Sequence, residues 1–251
     1  MEGSFVNLMS GAAGRLPHTS FAGKALRFPL RLVPRNVVVP VLGGINRGMR
    51  WITGAGTTNG CWLGTYEQDH VSALEKIIRP GMVAYDVGAN AGYYTLALSR
   101  LVGKAGRVYS FEPDARNAHL LRRHVELNQL QNVVFVQAAV SEGIGLVPFT
   151  GWELVDSSSY IVPSISLDSF IAEGNPIPDF IKMDIEGAEA AALRGATNLL
   201  SKRQTTWIVA THTDELTRIC KATLAEYGYR FTGFDCHSDP GNAADFMAFL
   251  K

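Results

Sequence analysis

From about Glu67 onward the apolar positions fall into two alternating periods. The stretch "HVSALEKII" has helical spacing and stops at "RPG". The apolar run Met82–Val87 follows, then a helical pattern over Gly92–Leu101 and a break at "GKAG". Arg107–Phe111 predicts a second strand. A helix then runs from Asp114, placed to cap it, to about Leu127. Val133–Val140, Phe180–Ile185 and Thr206–Thr211 predict three further strands, with an Ala/Leu helix from Ala188 to about Leu200 between the last two. Leu216, Ile219, Cys220, Leu224 and Tyr227 stripe a helix that ends at Gly228, and Arg230–Phe234 and Phe246–Leu250 close the chain. Repeated strand–helix units predict an α/β fold, a parallel sheet with helices on both faces. Ser141–Glu173 interrupts the alternation, and its segments "LVPF" and "SSYIVPSISL" predict an inserted hairpin.

Residues 1–60 read differently, being rich in Gly, Pro and Arg. The runs Val37–Leu42 and Arg50–Ile52 flank "GGINRG", the pattern of a β-hairpin, while the first 20 or so residues are expected to be poorly ordered. The expected organisation is a basic N-terminal extension over 1–60 and one domain over 61–251. Basic and acidic residues number 23 each over 251 residues, so the chain is neutral overall. Residues 1–66 nevertheless hold seven basic side chains and one acid, which leaves the body acidic. Neutrality and an acidic body argue against nucleic acid as a partner. Cys61, Cys220 and Cys236 form neither a zinc spacing nor a disulfide framework, which fits a reducing, cytoplasmic compartment. The apolar run "VVVPVLGG" is too short to span a bilayer, so no integral membrane segment is expected.

The candidate chemistry begins at "VAYDVGANAGYYTLALSR", a strand ending in a carboxylate and a glycine turn. Ligands of open parallel sheets bind beyond the carboxyl ends of the strands. Glycines there permit positive φ and close approach, and the following helix favours an anion. The spacing Asp86-x-Gly88-x-Asn90-x-Gly92 departs from that of a dinucleotide site, and Asp86 would repel two phosphates. A ligand with a carboxylate for the helix and an ammonium for Asp86 suits it, as S-adenosylmethionine does. Glu112 ends the next strand and is placed to accept hydrogen bonds from both ribose hydroxyls. Pro113 and Ala139, at the ends of the second and third strands, join Asp86, Gly88, Asn90, Gly92, Tyr93 and Glu112 in the predicted cofactor site.

A second unusual stretch is "DFIKMDIEGAEAAALRGA", where Lys182, Asp184, Glu186 and Glu189 crowd a strand end and a helix start. With "YDVGANAGYYT", "FEP" and "SISLDSF" before it, this resembles the FkbM family of S-adenosylmethionine-dependent methyltransferases. "GTYEQ" and "EYGYRF" also match, and the resemblance covers about residues 60–235. It implies a Rossmann-like sheet of seven strands, the last antiparallel, and methyl transfer to a hydroxyl of a small molecule, often a glycoside or polyketide. The family often carries a Glu after the fifth strand, where this chain has "VATHTDE".

Methyl transfer from a sulfonium needs alignment above all, and a hydroxyl acceptor also gains from a base. Asp184 and His212, on adjacent strand tips, are the candidates for that base, Asp184 also being placed to hold the methionine end. Glu67 is expected to close over the cofactor, and Tyr93 to set a ring near the sulfonium. No metal is expected: Asp235, Cys236, His237 and Asp239 read as a polar turn, and Glu186, the one acid close to Asp184, could point away on the helix. Two other functions compete. One is methylation of nucleic acid or protein, against which "DIEG" stands where base methylation calls for an Asn/Asp-Pro-Pro-aromatic tetrad. The other is a nicotinamide-dependent oxidoreductase.

Overall fold

The computed structural model describes residues 33–56, 58–150, 159–233 and 245–250. The central sheet has seven strands: β3 (Val83–Val87), β4 (Arg107–Phe111), β5 (Val133–Val136), β9 (Phe180–Met183), β10 (Thr206–Val209), β11 (Arg230–Gly233) and β12 (Phe246–Phe249). Their order is β11-β12-β10-β9-β3-β4-β5. β12 runs antiparallel to both β10 and β11, and the other pairings are parallel. This is the α/β, Rossmann-like arrangement expected, with the last strand antiparallel.

β3 lies at the centre, so its alternate side chains enter opposite cores. Ala84 packs with Leu74, Leu96 and Leu98 on one face. Tyr85 and Val87 pack with Phe111, Leu193 and Trp207 on the other. The first face is covered by α2 (Gln68–Ile77) and α3 (Tyr93–Val102), the second by α6 (Glu189–Arg194), α7 (Thr197–Lys202) and α8 (Asp214–Glu226). α4 (Ala115–Leu127) begins as expected at Asp114, whose Oδ1 accepts from the Arg116 and Asn117 amides at 2.9 Å each.

Several boundaries differ from the sequence expectation. The Ala188–Leu200 segment is two helices: the Gly195 carbonyl accepts from the Asp168 amide at 2.9 Å, and Ala196, at φ −127°, leaves the helical region. Val133–Val140 is also divided. β5 stays in the main sheet, while β6 (Ala139–Val140) pairs with β8 (Tyr160–Ile165), which pairs in turn with β7 (Gly145–Phe149). The inserted segment is thus a three-stranded sheet followed by a helix, α5 (Leu167–Ala172).

In the N-terminal region β1 (Val38–Pro40) and β2 (Arg50–Ile52) pair antiparallel, and a short helix, α1 (Gly60–Leu63), follows. This hairpin packs on α4. Trp51 stacks on His124 at 4.0 Å, and His124 Nε2 accepts from the Ile52 amide at 2.9 Å. The Asn128 side chain receives the Arg50 amide at 2.7 Å and donates to the Arg50 carbonyl at 2.9 Å. The first residues expected to lack order, and the turn holding Asp235, Cys236, His237 and Asp239, lie outside the described residues.

Candidate active site

A cavity of about 440 Å³ opens beyond the carboxyl ends of β3, β4 and β9. Its walls include Gly88, Asn90, Tyr93, Glu112, Pro113, Ala139 and Asp184, seven of the residues singled out by sequence. The glycine turn forms its floor. Gly88 has φ +82°, and a Cβ there would lie 1.9 Å from the Asp184 carbonyl oxygen, so both conformation and clearance demand glycine. Gly92 has φ +96° and abuts Leu121, which its Cβ would approach to 2.5 Å. Gly92 itself is not a cavity wall; it lets the turn join α3 close to α4.

The turn does not offer free N–H groups at its five central positions. The Gly88 and Ala89 amides both donate to the Phe111 carbonyl, and the Gly92 amide to the Ala89 carbonyl. Asn90 donates to Glu112 Oε2 at 2.8 Å, and Ala91 to the Asn90 side-chain oxygen at 2.6 Å. An anion at this turn therefore needs another partner.

Glu112 is 4% exposed and lines the cavity. Its second oxygen accepts from the Asp114 amide at 2.9 Å. Burial raises its pKa to about 7, against the pull of those two amides. The carboxylate is thus fixed in direction and short of donors, ready to accept hydrogen bonds from a ligand's hydroxyls.

Asp86 is fully buried and absent from the cavity wall. Its Oδ2 accepts from Thr95 Oγ1 at 2.6 Å, and burial pushes its pKa upward. It reaches the cavity through a neighbour: the β3–β9 register sets Asp86 directly opposite Lys182. Lys182 does line the cavity, although the sequence reading gave it no role in the site. Its ammonium stands 3.2 Å from Asp184 Oδ2, 3.4 Å from the Gly88 carbonyl oxygen and 4.9 Å over the Tyr94 ring. Only the repeated acids around "FIKMD" could have signalled this.

Asp184 lies just past the end of β9, not on it. Its other oxygen, Oδ1, is 3.2 Å from His212 Nε2, which is also 3.2 Å from Glu186 Oε2. Burial works to raise the Asp184 pKa, but Lys182 and His212 hold it well below the usual carboxylate range. The hydrogen bond to Asp184, helped by Glu186, raises His212 to about 9. His212 is therefore an imidazolium at neutral pH and has no lone pair for a proton. It is exposed and flanks the cavity through Asp184. Glu186 points toward His212, contrary to expectation, and the three residues bring one possible ligand atom each within 4.8 Å of one another.

Glu67 is not a cavity wall either. It has φ 42°, and its carboxylate accepts from the Tyr94 hydroxyl and faces His70 Nδ1 at 3.3 Å. His70 Nε2 is 3.2 Å from Asp245 Oδ2. Burial opposes protonation of His70, yet Asp245 and Glu67 raise its pKa to about 9. Glu67 thus fixes Tyr94, which lines the cavity. Three further walls, Trp51, Gly56 and Cys61, are brought from the N-terminal region by the docking of its hairpin; of these the sequence offered only Trp51 as a pocket residue.

The fold is the Rossmann-like α/β arrangement, with a cavity beyond the carboxyl ends of its central strands. The family model described as "Methyltransferase FkbM domain" matches residues 86–231, more than half of the chain, and the protein belongs to that family. Among solved structures it is similar to the methyltransferase FkbM from Methylobacillus flagellatus KT, with 19% identity and a TM-score of 0.55 over 77% of this chain and 56% of that one. It also resembles fibrillarin from Aeropyrum pernix, solved with natively bound S-adenosyl-L-methionine, at 14% identity and a TM-score of 0.50 over 86% and 98% of the two chains. Among curated proteins, a ribosomal protein L11 methyltransferase of Thermoanaerobacter pseudethanolicus is 33% identical over 110 residues, 43% of this chain and 32% of that protein. The chain spans about a third of the length of that relative. Among the described residues, no helix is long and apolar enough to cross a membrane.

Proposed function

We propose that this protein transfers a methyl group from S-adenosylmethionine to a hydroxyl of a small molecule, such as a glycoside or polyketide. The observation that carries the donor site is Glu112, a buried carboxylate fixed by two backbone amides on the cavity wall beside the glycine turn. In this reading Glu112 takes the ribose hydroxyls. Pro113, Ala139 and Asn90 frame the adenosine end, and the amino-acid end lies along Gly88. Asp86 supports that end from behind the wall and Gly92 shapes the turn. Tyr93 and the Glu67–Tyr94 pair close the side toward the sulfonium.

Asp184 is the proton acceptor in this reading. It remains a carboxylate at neutral pH, with Lys182 and His212 on either side. Its depressed pKa makes it a weak base, but the acceptor hydroxyl becomes strongly acidic as its oxygen takes on the methyl carbon. A late proton transfer to Asp184 is then downhill. His212 steadies Asp184 and assists through charge. The hydroxyl acceptor is further supported by "DIEG" after β9, which lacks the tetrad of base methylation. Unbridged, buried Cys61 and Cys220 support a reducing, cytoplasmic setting.

A protein acceptor is the competing reading, favoured by the likeness to the L11 methyltransferase. Two measurements test the proposal. Glu112→Ala should weaken binding of S-adenosylmethionine by about 1–3 kcal/mol in calorimetric titration. Tritium from labelled S-adenosylmethionine should pass to hydroxylated glycosides or polyketides and not to ribosomal protein; the reverse preference would refute the small-molecule acceptor.

A further inference from the structure

The amino-acid end of the donor carries a carboxylate and an ammonium side by side, and the five central amides of the glycine turn are already engaged. Among the described residues, Lys182 is the one cationic side chain in the cavity wall. It is 6% exposed, and its contacts to Asp184 and Gly88, at 3.2 and 3.4 Å, are long for charge-assisted hydrogen bonds. Asp184, beside it on the same wall, is the anion nearest to that ammonium.

We propose that the Lys182–Asp184 ion pair is the clamp for the zwitterionic end of the donor, Lys182 taking its carboxylate and Asp184 Oδ2 its ammonium, while Asp184 Oδ1, on the His212 side, is left for the acceptor's proton. This rests on the placement of the donor along the glycine turn given above. The complementarity is geometric: two opposite charges about 3.2 Å apart on the wall meet two opposite charges carried by one carbon atom of the ligand. Each long contact in the pair is replaced or supplemented by one to the ligand, so no buried charge is left alone. Asp86, opposite Lys182 on the neighbouring strand, supplies the counter-charge that keeps the ammonium in place from behind. Asp86, read from sequence as the direct partner of the ligand's ammonium, thus acts one layer further out.

Truncated ligands provide the test. S-adenosylhomocysteine keeps the zwitterion, 5′-methylthioadenosine lacks it, and the decarboxylated analogue of S-adenosylhomocysteine lacks only the carboxylate. In calorimetric titrations the wild-type protein should bind S-adenosylhomocysteine at least tenfold more tightly than either truncated ligand. Lys182→Met should erase most of that gap while leaving the affinity for 5′-methylthioadenosine within about twofold, and Lys182→Arg should restore part of it. Because Lys182→Met strands two acids, the double variant Lys182→Met/Asp86→Asn repeats the measurement with one of them neutralised. The wild-type comparison with the decarboxylated analogue requires no variant. The inference is overturned if removing the carboxylate costs the wild type nothing, or if Lys182→Met weakens all three ligands equally. Loss of the adenosine site is separately visible: Glu112→Ala should weaken 5′-methylthioadenosine too, and if it does not, the donor placement itself is wrong.

Discussion

Gly88 and Asp184 meet backbone to backbone, so closely that a Cβ on residue 88 would lie 1.9 Å from the Asp184 carbonyl oxygen. The contact joins the turn after β3 to the segment after β9, the two strand tips that flank the cavity. Gly88→Ala must strain a positive φ and push the two segments apart. It should cost about 2–5 kcal/mol of stability, read as a lower urea midpoint, and abolish S-adenosylmethionine binding. A variant as stable as the wild type would mean that the tips are not in contact.

The pairing of His212 with Asp184 and Glu186 has a pH signature. The His212 pKa is raised from 6.5 to about 9 on folding. Its contribution to stability is therefore full below about pH 6.5 and is lost as pH climbs through 9. The thermal midpoint of His212→Gln should lie below that of the wild type at pH 6, and the two should converge by pH 10. A constant gap across that range would show that His212 is not protonated in the folded protein.

His124 is fully buried, with Nε2 accepting from Ile52 and Nδ1 2.7 Å from the Ala91 carbonyl oxygen. Accepting at Nε2 fixes the neutral tautomer with hydrogen on Nδ1, and burial lowers its pKa to about 4. It joins the N-terminal hairpin to the glycine turn. His124→Ala should cost about 2–4 kcal/mol in chemical denaturation, through the lost ring stack and two orphaned backbone groups. A cost near zero would mean that the hairpin does not dock as described.

Glu67 and Asp245 together hold His70 protonated, at a pKa of about 9. In Glu67→Gln one of the two anions is gone, so His70 should titrate at lower pH, followed by NMR of its ring protons. An unchanged titration would detach Glu67 from His70.

Much of this arrangement was legible in the chain. The alternating periods named five strands of the main sheet, the family resemblance implied seven, and "DVGANAGY" marked the turn because positive φ and close packing leave few residue choices. Asp114 announced its helix through capping chemistry, which is local. What failed was set by packing at a distance. Nothing near Gly195 shows that its carbonyl is taken by the Asp168 amide, 27 residues earlier, and nothing near Val136 shows that Ala139 pairs with a different sheet. Partners set by packing are equally hidden: the sequence reads Asp86 and Glu67 as cofactor residues and His212 as a candidate base, and the structure pairs them with Thr95, Tyr94 and Asp184. Lys182 was hidden because a lone lysine in a strand has no period to betray which neighbours it faces. Trp51, Gly56 and Cys61 precede the family domain and reach the cavity only through the docking of the hairpin on α4.

The central claim is that the donor lies along the glycine turn with its ribose on Glu112. A crystal structure of the protein grown with S-adenosylhomocysteine tests it most directly. Both ribose oxygens should be found within hydrogen-bonding distance of the Glu112 carboxylate, with the adenine against Pro113 and Ala139. Ligand density elsewhere, with Glu112 touching only Asn90 and Asp114, would contradict it.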